Sequence, residues 1–426
     1  SPRRPYLPAR MAHDLASRPF DLLLWGATGF TGRLVAEHLA RSAPGLRWAL
    51  GGRSKAKLER VRAAIAEEHA AARELPLVVA DADDPASLAA LAAQTRVVLS
   101  TVGPFAVHGY PLVAACLAQG TDYCDSTGEP HFVRGLIDRH HDEARRAGVR
   151  IVPCCGFDSI PSDLGTLLLV ERARREGRTL EEVRFLLGPW RGLPSGGSAA
   201  SMIAIVDEAG RDPAVRRLLA DPYSLSPDRA HDLDLDGREE MGVRFDRSLG
   251  IWTAPFVMAV INTRVVRRSN ALTGHAYGKR FRYSEALCYR GDASGFAQAS
   301  IAALGTVASA AAAATAVARP LLNRLVPTPG EGPSRARLDR GFFKARLYGR
   351  FEGDRRPRLL ARVEGKQDPG YLETAKMLGE SALCLAHDPR RAGFEGGVLT
   401  PATAMGAPLI ERLRRAGMTF ATEPLP

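Results

Sequence analysis

The chain of 426 residues is poor in cysteine, and its six cysteines (Cys116, Cys124, Cys154, Cys155, Cys288 and Cys384) form no C-x-x-C pair. No Cys/His cluster has zinc-ligand spacing, so a zinc module and a disulfide scaffold are both excluded. Adjacent Cys154 and Cys155 project to different sides of a strand and do not bridge, which points to a reducing cytoplasm. No basic start runs into an apolar core with a small-residue cleavage site, so no secretory leader is expected. Residues 1–17, with the Pro/Arg-rich Ser1–Arg10 ahead of Met11, read as a disordered extension outside the fold.

Acid is the scarcer charge: 47 Asp and Glu stand against 58 Lys and Arg, a net of +11. The excess is local. From Arg319 to Lys366 there are 13 Lys/Arg and 5 Asp/Glu, and from Arg264 to Arg282 there are six Lys/Arg and no acid. With no zinc finger, RNP-like motif or aromatic-laced basic helix, nucleic acid is not the partner. Between these basic stretches lies Ser294–Ala318, 25 residues without a charge. It is Ala-rich, with few Leu, Ile or Phe, and Ala is the best helix former. A helix buried in a large domain is the leading expectation. A helix lying on an anionic membrane surface is second, and a bilayer span is third, since spans need about 20 strongly apolar residues.

The length suggests two or three domains. Asp21–Trp25 is a short apolar run typical of a buried parallel strand. It leads into Gly26-Ala27-Thr28-Gly29-Phe30-Thr31-Gly32, and then into a helix with Leu34, Val35, His38 and Leu39 on one face. Strand, glycine turn and helix form the setting of a dinucleotide fingerprint, here spaced GxxGxxG. Gly26 allows the tight turn, Gly29 the approach of the pyrophosphate and Gly32 close helix–strand packing, with the helix N-terminus facing the phosphates.

The next strand, Leu46–Gly52, ends at Arg53, Ser54 and Lys55. NAD-specific folds place an acid near here for the ribose 2′-OH, and its absence beside a cation and a hydroxyl favours the 2′-phosphate of NADP(H). Leu77–Ala80 is a strand ending at Asp81, an adenine contact. Pro85–Ala93 is a helix, and Arg96–Thr101 a buried strand followed by Val102, Gly103 and Pro104. Thr101 to Pro104 then run beside the nicotinamide ribose. A helix over Tyr110–Gln119, a strand over Asp122–Cys124, a helix over Pro130–Ala147 and a strand over Val149–Pro153 complete a doubly wound parallel sheet.

GATGFTG, GGRS, STVGPF, DYCDSTGE and CGFDSIPSDLG (Cys155–Gly165) resemble the saccharopine dehydrogenase-like oxidoreductases, and within them the bacterial trans-acting enoyl reductases. PSGGSAASM (Pro194–Met202), DPGYLETAKM (Asp368–Met377) and GGVLTPATAMG (Gly396–Gly406) extend the resemblance to the C-terminus. It implies an α/β fold: a Rossmann domain over 18–157, a second domain with a mixed sheet over 158–390, and a segment, 391–426, that returns to the Rossmann domain. It also implies NADP(H)-dependent reduction of an enoyl thioester on a lipid or polyketide chain. The expected partners are an acyl substrate on an acidic acyl carrier protein or polyketide synthase, or an anionic membrane touched peripherally, either of which the basic Arg319–Lys366 stretch would suit, and a second copy of the chain as a homodimer. The same fold acting on an imine or ketone, or a non-catalytic membrane-associated NADP-binding protein, are the alternatives.

Enoyl reduction needs the cofactor over the β-carbon, a donor for the enolate oxygen and an acid for the α-carbon. Asp158, Ser159, Ser162 and Asp163 lie where the last Rossmann strand meets a helix, and either cap that helix or line the crevice. Ser195–Ser198 is either an anion nest or a plain loop-to-helix transition. Tyr371, between Asp368-Pro369-Gly370 and a helix, is either a proton donor or a core tyrosine. His108, Tyr110, Tyr123, Glu129, His131 and Lys366 are candidates by type. No Tyr-x-x-x-Lys pair lies near the Rossmann core and no hydrolase elbow is present. The catalytic set is therefore Tyr371, Asp158 and Ser159, with no metal. A final helix runs from Thr400-Pro401 to Leu413, and Phe342–Leu347 with Leu359–Val363 are strands of a sheet with one basic side.

Overall fold

The computed structural model describes residues 17–192, 196–227, 232, 242–314 and 332–426. The N-terminal half alternates β1 (Phe20–Trp25), α1 (Phe30–Ser42), β2 (Trp48–Gly52), α2 (Lys55–Glu68), β3 (Leu77–Val79), α3 (Pro85–Ala92), β4 (Thr95–Ser100), α4 (Phe105–Ala118), β5 (Asp122–Asp125), α5 (Pro130–Ala147) and β6 (Arg150–Val152). The remainder comprises α6 (Ile160–Arg175), β7 (Leu180–Arg191), α7 (Gly196–Arg211), α8 (Pro213–Ala220), β8 (Arg244–Asp246), β9 (Ile251–Ala254), α9 (Ala259–Leu272), β10 (Arg282–Tyr289), α10 (Ala293–Ala314), α11 (Arg335–Asp339), β11 (Phe342–Phe351), β12 (Leu359–Gly365), α12 (Thr374–His387), β13 (Gly397–Val398), α13 (Pro401–Ala404), α14 (Gly406–Arg415) and β14 (Thr419–Pro424).

Leu22, Leu23 and Leu24 are all fully buried, because β1 is covered on both faces. The first sheet has order β13-β6-β5-β4-β1-β2-β3 with parallel pairing throughout. Leu22 and Leu24 pack with Val35, Leu39, Leu58 and Val61 of α1 and α2, and Leu23 and Trp25 with Leu91, Leu112 and Phe132 of α3, α4 and α5. The strand order reverses between β1 and β4, which opens a crevice at the strands' carboxyl ends. The second sheet, β14-β12-β11-β7-β10-β9-β8, is mixed: β7 and β10 are parallel and the other pairs antiparallel. One face is apolar (Val183, Phe185, Leu347, Val363). On the other, Arg184, Arg346, Tyr348, Arg350 and Arg362 are half-buried and Lys344 is exposed, so the basic side read from the alternation is present.

Five expectations change. Helix α12 lies within the stretch assigned to the second domain, yet it packs on the first sheet. Met377 and Leu378 join the same core as Leu22 and Leu39, and Glu380 lies 3.0 Å from His38 of α1. Buried Arg150 holds Asp122 and also donates to the Leu385 carbonyl of α12 at 2.6 Å. Sequence periodicity marks an apolar helical face but not which sheet it covers. The C-terminal segment likewise divides: β13 pairs with β6 of the first sheet, and β14 with β12 of the second.

The final helix is two helices. It breaks after Ala404 because Pro408 has no N–H and its ring collides with the carbonyl four residues back, and Gly406 turns the chain at φ 53°. Helix α4 starts at Phe105 rather than Tyr110, since Glu129 accepts the N–H groups of Phe105 and Ala106. The Ala-rich helix α10 is buried on one face alone: Ala299 is fully buried and Phe296 meets the Trp252 ring at 4.8 Å, while Ile301, Leu304 and Val307 are 71%, 70% and 54% exposed. Ala forms a helix on backbone propensity, without needing burial on every face. Residues 315–318 lie outside the described residues, and none of the described helices is long and apolar enough to cross a membrane. All six thiols are free, and Cys154 and Cys155 enter different cores.

Candidate cofactor and catalytic crevice

The glycine turn has the close contacts that only glycine permits. Gly26 has φ 90°, and a Cβ there would lie 2.6 Å from Val102 Cγ2 and 2.7 Å from Thr101 Oγ1. A Cβ on Gly32 would lie 2.2 Å from the Gly26 carbonyl oxygen. Gly29 is the N-cap of α1 and no side chain caps that helix, so its first N–H groups remain for an anion. The Thr101 hydroxyl donates to the carbonyls of Trp25 and Gly26 at 3.3 and 3.2 Å, tying the β4 loop to the turn. Val102, Gly103 and Pro104 continue along it to α4.

Thr28 Cγ2 lies 3.6 Å from a Cβ position on Gly52, so the end of β2 is beside the turn. Exposed Arg53 follows directly. Ser54 caps α2, accepting from the Lys57 N–H at 3.4 Å, and Lys55 is exposed. Exposed Asp81 follows β3, where its carboxylate accepts from the Asp83 N–H at 3.0 Å. Phe30 and Thr31 are half-buried at the start of α1. The uncapped helix, the glycine cradle and the Arg53–Lys55 edge fit a dinucleotide with a 2′-phosphate.

The Phe30 ring meets Tyr371 edge-on at 5.1 Å, and Tyr371 is 1% exposed. Its backbone N–H donates to Asp368 at 3.1 Å. Tyr371 therefore braces the glycine turn from the other side of the crevice. Ser159 occupies the N-cap position of α6 without capping it; its hydroxyl donates to Asn262 Oδ1 at 2.9 Å. Asp163 accepts from Ser269 and from the Ala402 N–H at 2.6 and 2.7 Å, so it anchors α13 instead. Of the motif, Asp158 remains at the crevice. Oδ1 lies 3.6 Å from a Cβ position on Gly128, which Met258 Cε approaches to 3.3 Å, and Oδ2 lies 3.2 Å from one on Gly156. Burial pushes its carboxyl up to about 7.

Two buried networks surround Asp158. Asp125 at the end of β5 accepts from the Tyr123 hydroxyl at 2.8 Å and the Thr127 N–H at 2.9 Å, and burial raises it to about 7. Fully buried Glu129 accepts from the N–H groups of Phe105 and Ala106 at 2.9 and 2.8 Å, and from Ser201 Oγ of α7 at 2.6 Å. His131 Nε2 lies 3.0 Å from Glu208, also on α7. These contacts hold α7 over the strand ends. Sequence reading had Glu129 and His131 only by residue type, since their partners come from α4 and α7. Of the Ser195–Ser198 turn, Ser195 lies outside the described residues.

A parallel sheet with a glycine turn at its switch point, joined to a mixed sheet across a crevice, defines a two-domain NAD(P)-dependent oxidoreductase. Residues 22–152 match the saccharopine dehydrogenase NADP binding domain. A trans-acting enoyl reductase of Mycobacterium tuberculosis is 42% identical over 421 residues, covering 96% of this chain and 98% of its own, and one of Mycobacterium ulcerans is 42% identical over 416 residues, covering 95% and 98%. The fold is shared with saccharopine dehydrogenase (L-Glu forming) of Saccharomyces cerevisiae, at TM-score 0.50 and 15% identity, over 95% of this chain and 99% of that one. The chain belongs to the saccharopine dehydrogenase-like oxidoreductases, and its cofactor is NADP(H).

Proposed function

We propose that this chain is a trans-acting enoyl reductase that saturates the α,β-double bond of an acyl thioester carried by a polyketide synthase. The observation that carries the reading is Asp158, a carboxyl at the strand ends with its acidity shifted to about 7. Held by the Gly26–Gly32 turn and the Arg53–Lys55 edge, NADPH would supply the hydride for the β-carbon. The protonated Asp158 carboxyl gives its proton to the α-carbon, and the carboxylate is reprotonated from water. Glu129 and Ser201 hold the nicotinamide loop and α7 in register while this happens.

The basic side of the second sheet supports an acidic carrier partner. Arg346 and Arg362 stand directly opposite each other on β11 and β12. Arg362 is partly neutralised by Glu423 at 3.6 Å, and Arg350 by Glu181 and Glu182, so the basic character of this face rests mainly on Arg346 and exposed Lys344. Complementary charge speeds such encounters, and salt weakens them. A second reading, peripheral contact with an anionic membrane, is favoured by the exposed stripe Ile301, Leu304 and Val307; vesicle flotation at low and high salt tests it. The enzymatic reading is tested by NADPH oxidation against enoyl thioesters on coenzyme A and on a carrier protein, with ketones and imines alongside. Turnover of enoyl thioesters alone is expected; turnover confined to imines or ketones overturns the reading.

A further inference from the structure

The described tryptophans are not alike. Trp25 and Trp48 are core residues at 3% and 5% exposure and Trp252 is half-buried, whereas Trp190 is 43% exposed. It stands at the crevice end of β7. There it pairs with Phe343 of β11, just past a register shift between Phe343 and Ala345. Such irregularities re-aim side chains at the ends of strands and beside active sites.

The neighbours of Trp190 lead to the reacting position. Phe343 is fully buried and meets the Phe157 ring edge-on at 4.8 Å, and Phe157 adjoins Asp158. Beyond Trp190 the chain passes closely under the segment that carries Tyr371: a Cβ on Gly192 would lie 2.7 Å from Pro369. The strand end that carries Trp190 thus lies between the segment of Tyr371 and Phe157, the neighbour of Asp158. Val257, 43% exposed and adjacent to Met258, adds apolar surface on the loop that reaches Gly128. A charged amino-acid substrate would need a compensating ion at such a surface, and an alkyl chain does not.

We propose that Trp190 is the acyl-chain contact of this crevice, the face on which the apolar part of a thioester lies while its α- and β-carbons sit at Asp158. This rests on the enoyl-thioester reading. An indole offers a large rigid apolar face at low entropic cost, and each methylene removed from water adds about 0.8 kcal/mol.

The test uses the full chain loaded with NADP+ and titrated with saturated dodecanoyl-coenzyme A and butyryl-coenzyme A, which bind without turnover. Quenching of tryptophan emission by the long-chain thioester is expected, and it should disappear in Trp190→Phe. In Trp190→Ala, the preference for a twelve-carbon over a four-carbon enoyl thioester should fall about tenfold, the worth of roughly two methylene contacts. That fall should lie in KM rather than kcat, with thermal stability and NADPH affinity retained. Tight long-chain binding with unchanged selectivity in Trp190→Ala overturns the assignment while leaving the enoyl reading intact. Absence of any thioester binding to the unaltered protein overturns both.

Discussion

The two seven-stranded sheets differ in what lies against them. The first is covered on both faces, so its central strand reads as an unbroken apolar run. Among the described residues the second is covered on one face, and β11 alternates between Phe343, Ala345 and Leu347 inward and Lys344, Arg346 and Tyr348 outward. The first sheet carries the cofactor on short local motifs, each a turn between a strand and the helix that follows it. The second provides surface, and the residues proposed for the substrate side of the crevice are far apart in the chain: Asp158, Ser201, Met258 and Trp190. Cofactor chemistry is therefore local in sequence, whereas substrate chemistry is a product of assembly.

The sharpest break in that comparison is Asp158→Asn. Loss of a general acid typically costs about 10²–10⁴ in rate, and NADPH affinity, set by the first sheet's turn, should be retained. In the unaltered protein kcat should fall as pH rises through about 7, because the reactive form is the protonated carboxyl; steady-state profiles of both proteins check this. A kcat within tenfold of normal would remove Asp158 from the chemistry.

Next in size is the contrast between the helices whose environments the sequence does not distinguish. Leu378→Ala in α12 should cost about 2–5 kcal/mol in denaturant unfolding, since it empties a fully buried site. Leu304→Ala in α10 should stay within about 0.5 kcal/mol. Arg53→Ala should weaken NADPH about 10- to 100-fold, the worth of a charge-assisted contact, and NADH hardly at all; equal losses by fluorescence titration would sink the 2′-phosphate assignment.

The mildest expectation concerns pH and stability. Asp125, Asp158, Asp163 and Glu285 are all raised by burial to about 7. Each takes up a proton on folding, so its stabilising contribution is complete below the ordinary carboxylate range and is lost as pH rises through about 7. The melting temperature should decline by a few degrees between pH 5 and pH 8. Asp163→Asn should flatten part of that decline.

The legible parts of this protein are those where one short segment contains its own reason. Gly26, Gly29 and Gly32 could be assigned from spacing because the turn, the phosphate approach and the helix contact are each a few residues apart. Arg53 could be placed at the end of the second strand because it follows that strand directly. Whether Ser159 and Asp163 cap their helix or line the crevice stayed open in the sequence, because their partners, Asn262, Ser269 and Ala402, are more than 100 residues away. Glu129 was recognisable only as an acid, since what it does depends on the α4 N-terminus and Ser201.

The sequence alone determined the alternation of strands and helices, the glycine turn and the preference for a 2′-phosphate, because backbone geometry and local charge decide them. The tertiary structure decided that α12 covers the first sheet, that Ile301 and Leu304 of the Ala-rich helix are exposed, and that Ser159 and Asp163 turn to partners far along the chain. These depend on which surfaces meet, and a helix's periodicity tells that it has an apolar face without telling what that face will cover.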